Sequence, residues 1–239
     1  MKKIIKYLFL LTGGSFILAS CNDFLDREPL DSVTPDNFFF TENDLAAYAV
    51  KHYNFTTHEG FNAGIWKNDN ATDNQAATDY DKKWIPGQWK VPEAYDNPAS
   101  NDPWYFSAIR EANYFLETVV PRFEKGEIEG SETNIKHYIG EMYFLRAKNY
   151  LAKLETFGDF PIIKNTLPDE SASLIQASKR EPRHKVARFI LEDLDLAIGL
   201  LTNTISGGKN RITQNAALLL KSRAALYEAS WLTYHRGTA

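Results

Sequence analysis

The sequence has very little cysteine: a single residue, Cys21, in 239. A lone cysteine excludes an internal disulfide and a zinc site built from several thiolates. None of the five histidines lies three or four residues from another, and His-Glu-x-x-His, Gly-x-Ser-x-Gly and a Gly-rich phosphate loop are all absent. The chain therefore carries no signature of a metalloenzyme, a serine hydrolase or a nucleotide-binding enzyme. We expect no cofactor, no metal and no catalytic residues.

An excess of positive charge is also missing. The chain carries 27 lysine and arginine residues against 31 aspartate and glutamate residues, a formal net charge of −4. This balance does not favour neutralisation of a phosphate backbone, so we expect no nucleic acid partner. Neighbouring carboxylates do occur, at Asp23 and Asp26 and at Glu192 and Asp193. They fall in a polar tether and on a predicted helix surface, which favours solvated charge over an acid/base pair.

The first 21 residues predict export and a lipid anchor. Three lysines, at positions 2, 3 and 6, precede an apolar stretch that is too short and too interrupted to span a bilayer. It ends in Leu-Ala-Ser-Cys at 18–21, which resembles a bacterial lipobox. We therefore predict a signal peptide at 1–20, a lipidated tether at 21–41 that begins with Cys21, and a folded domain at 42–239. The alternative is an ordinary secretory signal with a coincidental cysteine.

The folded domain begins with signals that are typical of helices. Thr41 and Asp44 have the spacing of a capping box in front of a predicted helix at 42–54. Apolar residues then recur at steps of three and four over 104–123 and over 131–157. Each of these segments is long enough to form an amphipathic helix with one buried face.

The second half of the domain continues this helical pattern. Pro182 is placed to open a further helix, and Thr213 is placed to cap the last one. A polar connection is predicted at 165–181. The predicted apolar faces include Tyr105 near the start of one helix and Leu226 in the last. Successive amphipathic helices resemble tetratricopeptide hairpins, so we predict an all-α fold of tetratricopeptide-like antiparallel helical hairpins.

Residues 55–103 are predicted to be a long irregular insertion. Glycine and proline recur there among Asn, Asp and Thr, with no sustained period of helix or strand. Long loops in a compact domain are often functional. Tyr80, Asp81, Trp84 and Trp89 combine flat aromatic rings, which pack on the apolar face of a pyranose, with a carboxylate that binds hydroxyls. They are candidate sugar contacts; alternatively, both tryptophans cover the helical core from outside.

Four blocks, in order along the chain, resemble a known family. The first is Cys-Asn-Asp-Phe-Leu-Asp at 21–26 with Thr-Pro-Asp-Asn-Phe-Phe at 34–39, and the second is the helix start at 104–117. The third is Glu-Met-Tyr-Phe-Leu-Arg-Ala at 141–147 with Thr-Phe-Gly-Asp-Phe-Pro-Ile-Ile at 156–163, and the fourth spans 211–227. In these blocks the chain is similar to SusD/RagB-type outer-membrane lipoproteins.

The resemblance implies a surface-exposed lipoprotein that Cys21 anchors in the outer membrane. It implies capture of oligosaccharides, without cleavage, and their delivery to a SusC-like TonB-dependent transporter. Asp73 lies roughly where the family often has an aspartate in its first variable loop, and it joins the candidate sugar contacts. Family members are generally much longer, so we expect this chain to be an N-terminal portion. The alternatives are uptake of peptides or glycoprotein-derived ligands, an envelope scaffold that binds protein partners through its hairpins, and an envelope glycoside hydrolase.

Overall fold

α-Helices make up most of the chain that the structure describes. The structure is a computed structural model, and it describes residues 38–53, 55, 71–72, 75–76, 85–88, 90–92, 102–205 and 210–236. These ranges contain the helices α1 (Glu42–Lys51), α2 (Ser107–Lys125), α3 (Glu132–Phe157), α4 (Ser171–Ala177), α5 (Arg183–Leu200) and α6 (Gln214–Tyr234). Two short strands, β1 (Ala71–Thr72) and β2 (Gln75–Ala76), pair antiparallel with Ala71 opposite Ala76. The predicted mainly helical fold is confirmed.

The predicted caps are present at both ends of the domain. Asp44 N–H donates to Thr41 Oγ1 (3.3 Å) while Thr41 N–H donates to Asp44 Oδ2 (2.9 Å), which completes the capping box of α1. Thr213 Oγ1 accepts from Ala216 N–H (3.2 Å) at the start of α6. Pro182 directly precedes α5. These side chains satisfy N–H groups that have no partner inside the helix, so they fix where each helix begins.

α3 is the central helix of the domain. It packs against α1, α2 and α5, and α5 in turn packs against α6. A short connection, residues 126–131, joins α2 to α3, so the two helices pack side by side and antiparallel. α3 is buried on several faces because it has neighbours on several sides, and Ile135, Tyr150 and Leu154 all belong to the core. The polar groups of this helix therefore need partners inside the protein.

Three segments differ from the prediction. α1 ends at Lys51, three residues before its predicted end at 54. α2 begins at Ser107, and Tyr105 precedes it with 40% of its surface exposed, so Tyr105 does not belong to the buried face. The predicted polar connection at 165–181 contains the short helix α4, which buries none of its residues. Phe160 and Glu181 pair with each other through two backbone hydrogen bonds of 3.1 Å, which close the ends of this segment. A helix that buries no apolar stripe leaves no periodic signal in the sequence.

The apolar face predicted for α6 is only partly correct. Ala217 and Ala224 are buried, whereas Leu226 is 68% exposed. Leu218 and Leu219 are exposed as well. Because α6 carries apolar residues on more than one side, helical spacing alone cannot select the side that packs against α5.

The predicted signal peptide and Cys21 lie outside the described residues. All described residues except Phe38 belong to one compact unit, Phe39–Ala239. Among the described helices, none combines the length and the apolarity that crossing a membrane requires.

Candidate functional site

The sugar contacts predicted from the sequence lie outside the described residues, namely Asp73, Tyr80, Asp81, Trp84 and Trp89. They therefore stay predictions, as does the anchor at Cys21. Described residues adjoin three of these positions, Asp73, Trp84 and Trp89. β1 and β2 come directly before and after the pair 73–74, and a turn at 85–88 separates Trp84 from Trp89 in the sequence. Gly87 has a φ of 80°, which the third residue of a type II turn requires, and it follows Pro86, which is common in such turns.

A cavity of about 350 Å³ lies between the end of α1, the start of α2 and the middle of α3. We call it the polar cavity, because its walls carry charged and titratable side chains from the three helices and the residues next to them. These side chains are Lys51, His52, Asp102, Glu111, Lys148 and Lys153. Tyr105, Ser107 and Asn149 add hydroxyl and amide groups. Apolar wall is supplied by Ala108, Ile109, Met142 and Leu145. A volume of this size is within the range of small-molecule sites.

His52 and Glu111 form one polar wall of this cavity. His52 Nδ1 lies 3.0 Å from Glu111 Oε2, and Ser107 Oγ donates to the other carboxylate oxygen at 3.2 Å. Burial lowers the pKa of His52, and the Glu111 carboxylate acts against this decrease. The neutral imidazole then donates its Nδ1 proton to Glu111, so Glu111 already has two donors within the wall. The ring of Tyr48 packs on His52 at a centroid distance of 4.8 Å and keeps the imidazole in place.

The part of the wall that α3 supplies is rich in lysine. Burial lowers the pKa of Lys148, whose ammonium lies 5.1 Å from the centre of the Phe55 ring. Burial also lowers the pKa of Lys153, and the nearby Asp102 acts against that shift. The ammonium of Lys153 donates to the carbonyl of Pro103, which ties α3 to the residues before α2. Both amines are thus held at the cavity rather than extended into solvent.

The polar cavity can bind a compact molecule with many hydroxyl groups. Its walls present donors, acceptors and both signs of charge, so each polar group of a buried ligand can find a partner. The half-exposed ring of Tyr105 adds a flat apolar surface at the rim. These are the requirements of a sugar residue, whose hydroxyls need hydrogen bonds while its C–H face needs apolar contact.

A second cavity of about 350 Å³ lies on the other side of the start of α2, beneath α4. We call it the apolar cavity, because aromatic and aliphatic side chains supply most of its walls: Trp104, Phe106, Ile109, Pro161, Ile163, Leu167 and Leu174. The Asn113 amide is already occupied, since it donates to Ile163 O (2.8 Å) and accepts from Arg146 (2.9 Å). Hydroxyls buried against these apolar walls, away from Arg110, Asn165 and Ser178, would lack partners at a cost of about 1–3 kcal/mol each. This cavity suits an apolar group rather than a bare sugar.

The block Glu-Met-Tyr-Phe-Leu-Arg-Ala places two buried charges on α3. Glu141 and Arg146 are five residues apart, so they point about 140° away from each other around the helix. Glu141 is fully buried and accepts two hydrogen bonds from Arg211, at 2.8 and 2.5 Å. His137 accepts from Thr202 N–H through Nδ1 (3.2 Å), which leaves Nε2–H facing Glu141 at 3.2 Å. Glu141 therefore ties α3 to the segment before α6, and His137 ties it to the segment after α5.

Arg146 makes the second tie, and its partner corrects a prediction. Its guanidinium donates to both oxygens of Asp193 at 2.7 Å, and Asp193 is only 2% exposed. The prediction of solvated charge at Asp193 is therefore wrong, although the neighbouring Glu192 is exposed as predicted. A two-pronged guanidinium contact satisfies the carboxylate inside the core, which is why a charge is tolerated between α3 and α5. The pair is structural and does not line either cavity.

The polar cavity was not predicted from the sequence. Its walls come from three segments, 51–52, 102–111 and 142–153, and none of them carries a recognised binding motif. Partly buried lysines identify this cavity, and only the folded structure shows which lysines are buried. Within the described residues, no group of three or more His, Cys, Asp and Glu side chains could hold a metal ion.

Comparison with known proteins gives one consistent result. Residues 23–226 match the family model described as "SusD-like_3: Starch-binding associating with outer membrane". The chain is also similar to SusD-like protein P2 of Formosa agariphila, with 26% identity over 219 residues that cover 89% of this chain and 40% of that protein. SusD-like protein P25 of the same organism is 23% identical over 243 residues, which cover 97% of this chain and 44% of that protein.

A solved structure supports the same conclusion. A SusD-like protein from Bacteroides fragilis is 27% identical, with a TM-score of 0.61 over 84% of this chain and 38% of that chain. This likeness confirms the predicted all-α, tetratricopeptide-like fold. The chain spans less than half the length of these relatives.

Proposed function

Because the chain belongs to the SusD-like family of starch-binding proteins that associate with the outer membrane, we propose that it captures oligosaccharides at the bacterial surface and delivers them to a SusC-like TonB-dependent transporter. The observation that carries this proposal is the family match over residues 23–226, which includes every described helix except the C-terminal end of α6. The protein binds its ligand without cleaving it. Its contribution is to raise the ligand concentration at the transporter.

The polar cavity supports a role in sugar binding. It presents hydrogen-bonding groups from several segments of the chain and the 40% exposed Tyr105. In our proposal the aromatic residues Tyr80, Trp84 and Trp89, with Asp73 and Asp81, also contribute stacking and hydroxyl contacts to a glycan. Lipidation of Cys21 holds the protein in the outer membrane, where the transporter is.

A binding panel tests the proposal. The full chain, purified in detergent, is titrated calorimetrically with neutral and acidic oligosaccharides and with glycopeptides, and each mixture is then analysed by chromatography for cleavage products. We expect saturable binding to a subset of the glycans and no products. Crosslinking in intact cells is expected to capture a large β-barrel protein.

Each alternative predicts a different result. Release of shorter sugars identifies a glycoside hydrolase. Binding of glycopeptides or peptides alone identifies a peptide-uptake protein, and capture of envelope proteins without any glycan affinity identifies a scaffold. Failure of every glycan and glycopeptide to bind, together with no association with a barrel, refutes the proposed function.

A further inference from the structure

Several polar groups in the wall of the apolar cavity already donate to the protein itself. The indole N–H of Trp104 donates to the carbonyl of Pro92 (2.7 Å), and the hydroxyl of Ser178 donates to the carbonyl of Ile175 (2.7 Å). The buried amide of Asn113 is occupied as well. The interior of this cavity therefore offers a ligand mainly apolar contact.

The two other polar residues of the wall lie towards solvent. Arg110 and Asn165 line the cavity and are exposed, so they belong to its mouth rather than to its interior. A guanidinium and an amide both supply N–H donors. The mouth can thus hold a carbonyl or hydroxyl group of a ligand whose apolar part enters the cavity, which is the usual arrangement of a small-molecule site.

The aromatic part of the wall favours a flat occupant. Trp104 and Phe106 line the cavity, and both rings lie nearly parallel to the ring of Phe160, at interplanar angles of 19° and 11°. Contacts between aromatic rings add to the free energy of burial. Because a cavity of about 150 Å³ is enough for benzene, the 350 Å³ of this cavity can take an aromatic ring with a short side chain.

The helix above the cavity lacks packing of its own. α4 has only seven residues and buries none of them. Its Leu174 lines the cavity and is still 43% exposed. An apolar occupant would bury Leu174, so binding of that occupant and the stability of α4 favour each other.

We propose that the apolar cavity binds an aromatic acyl group, of the hydroxycinnamoyl class, that is esterified to the captured glycan. The aromatic ring packs against Trp104, Phe106 and Leu174. Arg110 and Asn165 donate to the ester carbonyl and to hydroxyls of the attached sugar. This inference rests on the proposed function, because it names a substituent of the glycan. A glycan without such a group leaves the apolar interior unfilled.

Small esters test the cavity itself. The full chain is titrated calorimetrically with methyl cinnamate and with methyl 3-cyclohexylpropanoate, which has the same carbon skeleton without the flat ring. We expect saturable binding of methyl cinnamate, roughly threefold to tenfold tighter than that of the saturated ester. Amide hydrogen exchange in residues 171–178 is expected to slow when methyl cinnamate is bound, because the ligand stabilises α4.

A pair of oligosaccharides tests the connection with the glycan. The full chain is titrated with a feruloylated arabinoxylan oligosaccharide and with the same oligosaccharide after removal of the ester. We expect the feruloylated member to bind at least roughly tenfold more tightly, since burial of an aromatic ring contributes a free energy of this size.

Two neighbouring residues of α4 supply a matched pair of variants. Leu174→Glu places a charge in the wall of the cavity, so it is expected to abolish the binding of methyl cinnamate and the gain from the feruloyl group. Ile175→Glu is the control, because Ile175 is 68% exposed and lines neither the apolar nor the polar cavity. Since α4 contributes no buried residue, both variants are expected to fold, and circular dichroism measures this.

The outcomes separate this inference from the proposed function. The inference is overturned if methyl cinnamate does not bind, or binds no better than the saturated ester, or still binds to folded Leu174→Glu. It is also overturned if the feruloyl group adds no affinity, or if peptides with aromatic side chains bind in the cavity in its place. Glycan capture stands in all of these cases, whereas absence of binding to every glycan overturns the proposed function itself.

Discussion

Replacement of Asp193 with alanine tests whether the ion pair between α3 and α5 is buried. The substitution leaves the guanidinium of Arg146, in a residue only 6% exposed, without its counterion. It also removes two hydrogen bonds of 2.7 Å. The aromatic rings of Tyr143 and Phe189 lie 5.4 and 5.2 Å from the guanidinium and limit the entry of water.

The expected loss follows from the geometry. Removal of one partner of a buried pair costs about 3–5 kcal/mol, because the remaining charge is left uncompensated. The double variant Arg146→Met with Asp193→Leu removes both charges, so this penalty disappears. Asn113 Oδ1 still loses the donor that it has at 2.9 Å, which costs about 1–3 kcal/mol. The double variant is therefore expected to be more stable than the Asp193→Ala single variant.

The free energy of unfolding is measured by urea titration, followed by circular dichroism at fixed pH. Glu181→Ala is the control, because its ion pair with Lys185 is exposed and contributes at most about 1 kcal/mol. If Asp193→Ala costs no more than this control, and the double variant shows no coupling, then the pair is solvated and our interpretation of the core is wrong.

Further substitutions test the anchor, a cap, a turn and a titrating group. Cys21→Ala is expected to release the protein from washed outer membranes in a fractionation blot, because acyl chains supply the anchoring energy. Thr41→Ala is expected to lower the free energy of unfolding by about 1 kcal/mol through loss of the capping box. Gly158→Ala is expected to lower the free energy of unfolding by about 1–3 kcal/mol, measured by urea titration, because a φ of 74° with a ψ of −99° strains any other residue. The control is Gly199→Ala in α5, which has open space around it and is expected to be neutral or stabilising. Burial lowers the pKa of His52 below 6.5, so the unfolded chain takes up the proton at a higher pH than the folded chain does. The stability of the fold is therefore expected to fall below pH 6.5, and to fall less in the His52→Asn variant. Thermal denaturation at a series of pH values measures both effects.

Local signals were enough to predict most of the helices. The caps at Thr41 and Thr213 act on backbone groups within three residues, so the sequence alone contains the whole interaction. The stripe of α3 was predicted for the same reason, because helical spacing is a property of neighbouring residues. α4 has no buried residues and gave no such signal.

Long-range polar contacts could not be predicted in this way. Asp193 and Arg146 are 47 residues apart, and only the packing of α5 on α3 brings them together. Without that partner, an aspartate beside Glu192 has the pattern of a solvated helix surface. The polar cavity has the same origin, since Lys51, Lys148 and Glu111 come from three helices and share no motif.

Two residues of the family blocks have a structural role away from both cavities, and this role can be tested. Glu141 holds Arg211, and Asp159 Oδ1 accepts from Arg183 N–H at 2.7 Å where α5 begins, so both residues stabilise the helical frame. Neither lines a cavity. Glu141→Gln is therefore expected to lower the melting temperature while the folded protein keeps its ligand preference.

Lys148→Met is expected to change ligand affinity in the folded protein, since it removes an amine from the wall of the polar cavity. Calorimetric titration well below the transition, together with thermal denaturation of each variant, measures both quantities. A change of ligand preference in folded Glu141→Gln would show that the frame also sets specificity. Without such a change, Glu141 acts on the fold alone, and specificity is set by residues that line the polar cavity, whether they lie inside a family block, as Tyr105 does, or outside it, as Lys148 does.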